Sequence, residues 1–335
     1  MKSNPRANEM KPWLVKDITR RAFIRNGAVA AAVTGALGPG LPGLAAAEPL
    51  LRKMTMDLVC GNIGVSAGQR EAIDLAARYG FESVGADGGF LAGLSAQELA
   101  ALKALMKSKR LVFGAAGLPV EFRRDESTFK AGLEELPRIA AGLQRAGVGR
   151  VTTWLMPCDD RLTYIRNFRQ HARRLRQVAT ILKEHGIRLG LEYVGPKTSW
   201  TSRRYPFIHT MAEMKDLFAQ IDTGNVGFLL DSWHWWNAGD TVADILSLKG
   251  QDVIAVDLND APVGIPKDQQ VDNHRELPCA TGVIPVGSFL NALNQIRYDG
   301  PVRAEPFNQA LNRMSKDEAC AAVAASLRKA FALIG

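Results

Sequence analysis

Four acidic side chains stand where short apolar runs end: Glu192 in LGLEYVG, Asp231 in GFLLDSWHWW, Asp257 in VIAVDLNDAP and Glu305 in VRAEPFN. Short runs that are apolar on both faces read as strands of a buried parallel sheet, whose polar residues collect at the C-terminal end. In the third run, alternation puts Asp257 and Asn259 on one face and Val256 and Leu258 on the other, with Asp260 at the strand exit. Converging carboxylates repel one another and are costly to bury unless they are paired or hold a cation. An all-oxygen donor set favours a hard divalent ion, Mg²⁺ or Mn²⁺, over zinc, which prefers nitrogen and sulfur. Four carboxylates around one dication leave an excess of negative charge, which Lys197, His234 and Arg275 can offset or protonation of one acid can remove. A ring of acids satisfied by lysines and arginines without a metal is the alternative.

These residues need a scaffold that brings strand ends together. From Met56 onward, strands are expected at 56–62, 83–87, 111–115, 150–154, 188–193, 226–231, 253–259 and 301–305, with amphipathic segments between them. The clearest helix runs from Tyr164 to His185, with Ile165, Phe168, Ala172, Leu175, Ala179 and Leu182 in one apolar stripe. Capping boxes at Ser95 with Glu98, Thr210 with Glu213 and Ser315 with Glu318 mark helix starts independently. Eight βα units in one domain, 54–335, predict a (β/α)8 TIM barrel, with a doubly wound open sheet as the alternative. The segment 261–283 is the one long connection, and long loops in compact domains tend to be functional.

The formal charge of +8 gives little support to a polyanion-binding surface, because residues 1–47 hold seven Lys or Arg against Glu9 and Asp17. That leader carries Arg20 and Arg21 ahead of a small-residue apolar run ending in Ala45, Ala46 and Ala47. It resembles a twin-arginine export signal, with cleavage expected after Ala47 and a periplasmic or otherwise exported product handed over by the twin-arginine export machinery. Glycines and prolines at 38–43 interrupt the run, so no stable membrane anchor is expected. Cys60, Cys158, Cys279 and Cys320 lie far apart and form neither a zinc knuckle nor a disulfide framework. The glycine clusters at 61–64 and 85–89 match no phosphate-cradling motif, and no nucleic acid is expected as a partner.

Glu192 in LEYVGP, Asp231 and His234 in LLDSWH, the VDLNDAP strand, Arg275 in RELPCATGVIP and Glu305 in AEPF together resemble the xylose-isomerase-like sugar isomerase and epimerase superfamily, over essentially all of 56–331. The resemblance implies that Glu192, Asp231, Asp257 and Glu305 hold one divalent metal, commonly manganese or magnesium. It implies that the two glutamates form the acid/base pair and that His234 and Arg275 contact substrate oxygens. Many members have histidine where this chain has Asp257, which leaves open whether Asp257 or Asp260 completes the site. Cys279 stands where glycine is expected.

The implied chemistry is proton transfer at a carbon next to a carbonyl through an enediolate. Return of the proton gives epimerisation or isomerisation of a free ketose or keto-glycoside, and loss of a β-leaving group makes the protein a keto-glycoside lyase. A non-catalytic sugar-binding barrel is a further alternative. Lys197 and Trp154 are expected to contact substrate, and Trp233 and Trp235 are candidates for a sugar platform. His274 and Glu121 are weaker candidates, while His171 and His185 are expected to be uninvolved.

Overall fold

Strand formation follows the apolar runs closely in the computed structural model, which describes residues 51–335. The leader, with its expected export signal, lies outside the described residues. The strands are β1 (Thr55–Leu58), β2 (Ser83–Ala86), β3 (Val112–Gly117), β4 (Arg150–Trp154), β5 (Cys158–Asp159), β6 (Arg188–Glu192), β7 (Tyr205–Pro206), β8 (Val226–Asp231), β9 (Val253–Leu258) and β10 (Pro301–Ala304). Eight of them close a parallel barrel in the order β1, β10, β9, β8, β6, β4, β3, β2. This is the expected (β/α)8 barrel. The open-sheet alternative is excluded by the β1–β10 pairing that closes the ring. β5 and β7 form a separate antiparallel ribbon above the barrel strands that precede them.

Each barrel strand is followed by helix, so apolar residues face both ways. Outward-facing residues pack against helices in the main core, while Ala115, Leu229 and Ala255 form a small cluster of their own. The helix Tyr164–Glu184 buries Ala172, Leu175, Val178, Ala179 and Leu182 against the barrel, each larger apolar side chain contributing roughly 1.5–3 kcal/mol by leaving water. Ile165, expected in that stripe, is 57% exposed in the first turn. Its neighbour Arg174 is buried instead, donating to the carbonyls of Phe122 and Arg124 and pairing with Glu126. The capping boxes at Ser95 and Ser315 form in full, and Thr210 caps the helix Met211–Ile221 through the Glu213 amide.

The long connection 261–283 is fastened to the barrel by one buried carboxylate. Asp260 Oδ1 accepts from the Ala261 and Ile284 amides and Oδ2 from the Thr281 and Gly282 amides, at 2.7–2.9 Å. A short bridge between Asp260 and Glu276 then directs the next stretch of the loop over the barrel mouth. Cys279 adopts φ 60°, in the left-handed region that favours glycine, which gives the glycine expected there a physical reason.

Candidate active site

Parallel register brings the four acids to one level. Asp231 pairs with Asp257 across β8 and β9, and Trp154 with Glu192 across β4 and β6. Glu305 follows β10 immediately. One oxygen from each of Glu192, Asp231, Asp257 and Glu305 lies within 4.8 Å of the other three. Asp231 also starts the short helix Ser232–Ala238, its Oδ1 accepting from the Trp233 amide at 2.6 Å. That helix start turns His234 back toward the acids.

The remaining hydrogen bonds fix these carboxylates. Asn259 Nδ2 donates to both oxygens of Asp231, and its Oδ1 accepts from the Glu305 amide at 3.0 Å. Arg275, delivered by the long loop and 2% exposed, donates to Asp231 and Asp272 at 2.8 Å and to Glu305 at 3.3 Å. Arg303 on β10 holds Asp257 with two hydrogen bonds, at 2.5 and 3.1 Å. Glu192 Oε1 is buried and has no hydrogen-bond partner among the described residues.

Burial and mutual repulsion set the electrostatics. Burial, with the charges of Glu305 and Asp231 adding to it, raises Glu192 well above the usual carboxylate range. Glu305 is raised by burial and by Asp257, and Asp231 by burial against the pull of Arg275. Burial holds His234 down to about 3, so its ring is neutral. Its Nδ1 lies 3.3 Å from the Gly195 amide and its Nε2 3.2 Å from Arg275 Nη2.

The donor set fits a divalent cation. Among the described residues the four carboxylates are in direct contact with two guanidinium groups, Arg303 on Asp257 and Arg275 on Asp231 and Glu305, and Arg275 is shared with Asp272, so the cluster keeps acidic oxygens that a dication can match. The unpartnered oxygen of Glu192 points the same way, since a buried acceptor without a donor is costly unless something else satisfies it.

Two chambers open on either side of the acids. One, of about 350 Å³, is lined by polar groups that include Asn62, Gln69, Asp87, Thr152 and Arg303. The other, of about 570 Å³, has apolar walls from Met156, Pro157, Val194, Val271 and Phe307 beside His234 and Arg275. Trp154, Glu192 and Glu305 line both. Trp154 is 40% exposed, with the Arg123 guanidinium 4.5 Å over its ring.

Residues 73–330 match the family model described as xylose isomerase-like TIM barrel. The chain belongs to the xylose isomerase-like TIM barrel family. It is 33% identical to a solved xylose isomerase domain protein from Alicyclobacillus acidocaldarius, over 84% of this chain and 99% of that one, with a TM-score of 0.74. An inosose isomerase of Bacillus licheniformis is 22% identical over 58% of this chain and 67% of that protein. A solved IOLI protein with a binding zinc atom shares the fold at 18% identity and TM-score 0.69, over 84% of this chain and 99% of that one. Solved D-psicose 3-epimerases share the fold at 18% identity and TM-score 0.62, and a 3-dehydroshikimate dehydratase of Pseudomonas aeruginosa is 27% identical over 40% of this chain and 20% of that protein.

Against this barrel, the sequence-predicted residues sort clearly. Glu192, Asp231, Asp257, Glu305, His234 and Arg275 converge, and Trp154 stands at the mouth. Of the two acids in the VDLNDAP stretch, Asp257 on β9 joins the cluster, whereas Asp260 beyond it spends both oxygens on backbone amides. Lys197 is a correction. It begins the helix Lys197–Trp200, which turns Thr198 and Ser199 toward the apolar chamber, while Lys197 is turned outward within 3.7 Å of Asp268. Trp233 and Trp235 are corrected too, being core residues at 0% and 3% exposure. His274 is exposed, and Glu121 serves to hold Arg123 against Trp154. His171 is buried under Phe122 and His185 ends its helix, both away from the acids. Sequence reasoning missed Arg303, Asp57 and Asp272. Arg303 was detectable, since it lies two residues before Glu305 and must share its inward face.

Proposed function

We propose that the protein is an exported, divalent-metal-dependent sugar isomerase or epimerase that moves a proton next to a carbonyl through an enediolate, on a free ketose or keto-glycoside. The observation that carries this reading is the pair of glutamates, buried Glu192 and half-buried Glu305, separated by β8 and β9 in the barrel wall and both bordering each chamber. Placed across the site from one another, they can serve as proton acceptor and proton donor to a bound carbon acid.

Glu192, Asp231, Asp257 and Glu305 would hold the metal, which when bound supplies polarisation of the carbonyl and neighbouring hydroxyl oxygens. Mn²⁺ or Mg²⁺ suits four carboxylate donors. One glutamate takes the proton from carbon, and the other, across the site, returns one. Neutral His234 and the fixed guanidinium of Arg275 orient substrate oxygens, and Trp154 offers its free face to a sugar ring. The apolar chamber supports a second reading, keto-glycoside lyase, because an aglycone could sit there while the sugar occupies the polar side. The twin arginines, Arg20 and Arg21, support hand-over to the twin-arginine export machinery, and replacing both with lysine should leave the protein in the cytoplasmic fraction.

The test incubates protein and Mn²⁺ with a panel of ketoses and 3-keto-glucosides in D₂O, read by NMR. Carbon-bound deuterium marks isomerisation or epimerisation, and a released aglycone marks elimination. Glu192→Gln and Glu305→Gln should each lose about 10²–10⁴-fold in rate. If no sugar exchanges, and both variants bind sugar as well as the parent, the barrel is a binding module.

A further inference from the structure

Arg303 stands directly opposite Asp257 in the barrel, Cα partners on β10 and β9. Its guanidinium takes both oxygens of Asp257, Nε to Oδ1 at 2.5 Å and Nη2 to Oδ2 at 3.1 Å. Both side chains are enclosed, Asp257 wholly and Arg303 to 7% exposure. A second buried acid, Asp57 on β1, approaches Arg303 from the other side, with neither oxygen hydrogen-bonded among the described residues. Arg303 therefore stands at the floor of the acid cluster, while its rim lines the polar chamber. An ion pair this enclosed keeps most of its Coulomb energy, and an unpaired member of it would be strongly felt by any neighbouring charge.

We propose that Arg303 sets the metal affinity of the acid cluster by cancelling the charge of Asp257, so that the two act on a bound dication as one neutral unit. This rests on the reading that the cluster holds a divalent metal. The charge facing the ion is then supplied by Glu192, Asp231 and Glu305, with Arg275 shared between this cluster and Asp272. Asp257 turns toward the cluster a carboxylate whose negative charge is already matched, and Arg303 becomes a positioning residue for the ion without touching it.

The consequence is a rescue that a residue serving only the fold does not give. Asp257→Asn leaves Arg303 without its hydrogen-bonded carboxylate beside the cation and should weaken Mn²⁺ binding about tenfold or more. Arg303→Met leaves Asp257 uncompensated and should tighten it by a similar factor. Asp257→Asn combined with Arg303→Met removes both charges of the pair and should return the affinity to within about threefold of the parent. Each protein is stripped with chelator and titrated with MnCl₂ by calorimetry, with thermal melts in parallel to report folding. If the parent takes up no Mn²⁺, the metal reading itself fails and this inference falls with it. If the parent binds but the double variant binds no better than Asp257→Asn, the charge of Asp257 acts on the ion uncancelled and the neutral pair is refuted. Should Arg303→Met fail to fold, the comparison of Asp257→Asn with the double variant decides alone.

Discussion

Asp57 offers a measurement of what an enclosed charge costs this barrel. It is 1% exposed on β1, and neither carboxylate oxygen has a hydrogen-bond partner among the described residues. Burial raises its pKa from 3.8 to about 6, with Ser83 and Arg303 pulling it down and Asp257 adding to the rise. Below pH 3.8 the carboxyl is protonated whether the chain is folded or not, and it contributes nothing to pH dependence. Between 3.8 and 6 the unfolded chain releases the proton while the folded one keeps it, so stability falls as pH rises. At about 1.4 kcal/mol per pK unit, the loss levels off above pH 6 at about 3 kcal/mol. Asp57→Asn removes the titration. Relative to the parent, the variant should therefore gain about 3 kcal/mol between pH 4 and pH 7, or roughly 5–10 °C in melting temperature for a domain of this size. Thermal and urea melts of the metal-free proteins at pH 4.5, 5.5, 7 and 8 measure the difference directly. A stability difference that stays constant over that range, or that shrinks as pH rises, would show that the Asp57 carboxylate is satisfied and the reasoning wrong.

Other perturbations reach different parts of the site. Trp154→Ala removes a ring that borders both chambers, and should raise KM about threefold to tenfold with kcat and melting temperature little changed, as steady-state kinetics and calorimetry would show. Asp260→Ala strands four backbone amides, and should cost about 2–4 kcal/mol in urea unfolding while making the 261–283 segment sensitive to limited proteolysis.

Much of this architecture is legible in the sequence because a parallel barrel makes its strands apolar on both faces. β4 and β8 match their expected bounds, Arg150–Trp154 and Val226–Asp231, while the expected strand at 56–62 stops at Leu58 and passes into the 3-10 turn Cys60–Ile63. Glycine at 61 and 64 marked that change. β5 and β7 were not foreseen, since two residues each carry no periodic signal and their pairing joins segments far apart in the chain. The acids of the site were visible because a charge at the end of an apolar strand needs a reason. Their surroundings were less so: the counter-charge Arg303 shows only through its spacing from Glu305, and the further acid Asp57 sits where a single polar residue breaks an apolar run. The tryptophans of SWHWW were misjudged because the helix Ser232–Ala238 turns Trp233 and Trp235 into the core, an orientation that depends on how the helix docks. Lys197 was misjudged for a similar reason, the tight turn after β6 deciding which side of a one-turn helix meets the chamber.

The fastening of the long loop divides it into parts with different freedoms. Asp260 clamps both ends, and Arg275 anchors the middle among the acids. Between these anchors Val263 and Ile265 stand exposed, 71% and 41%, while buried Gln270 ties the stretch to Thr198 and to the Ile265 carbonyl. The exposed tip ahead of Gln270 is thus an exchangeable cassette. New lengths and chemistries can be introduced there while the acid cluster keeps its geometry.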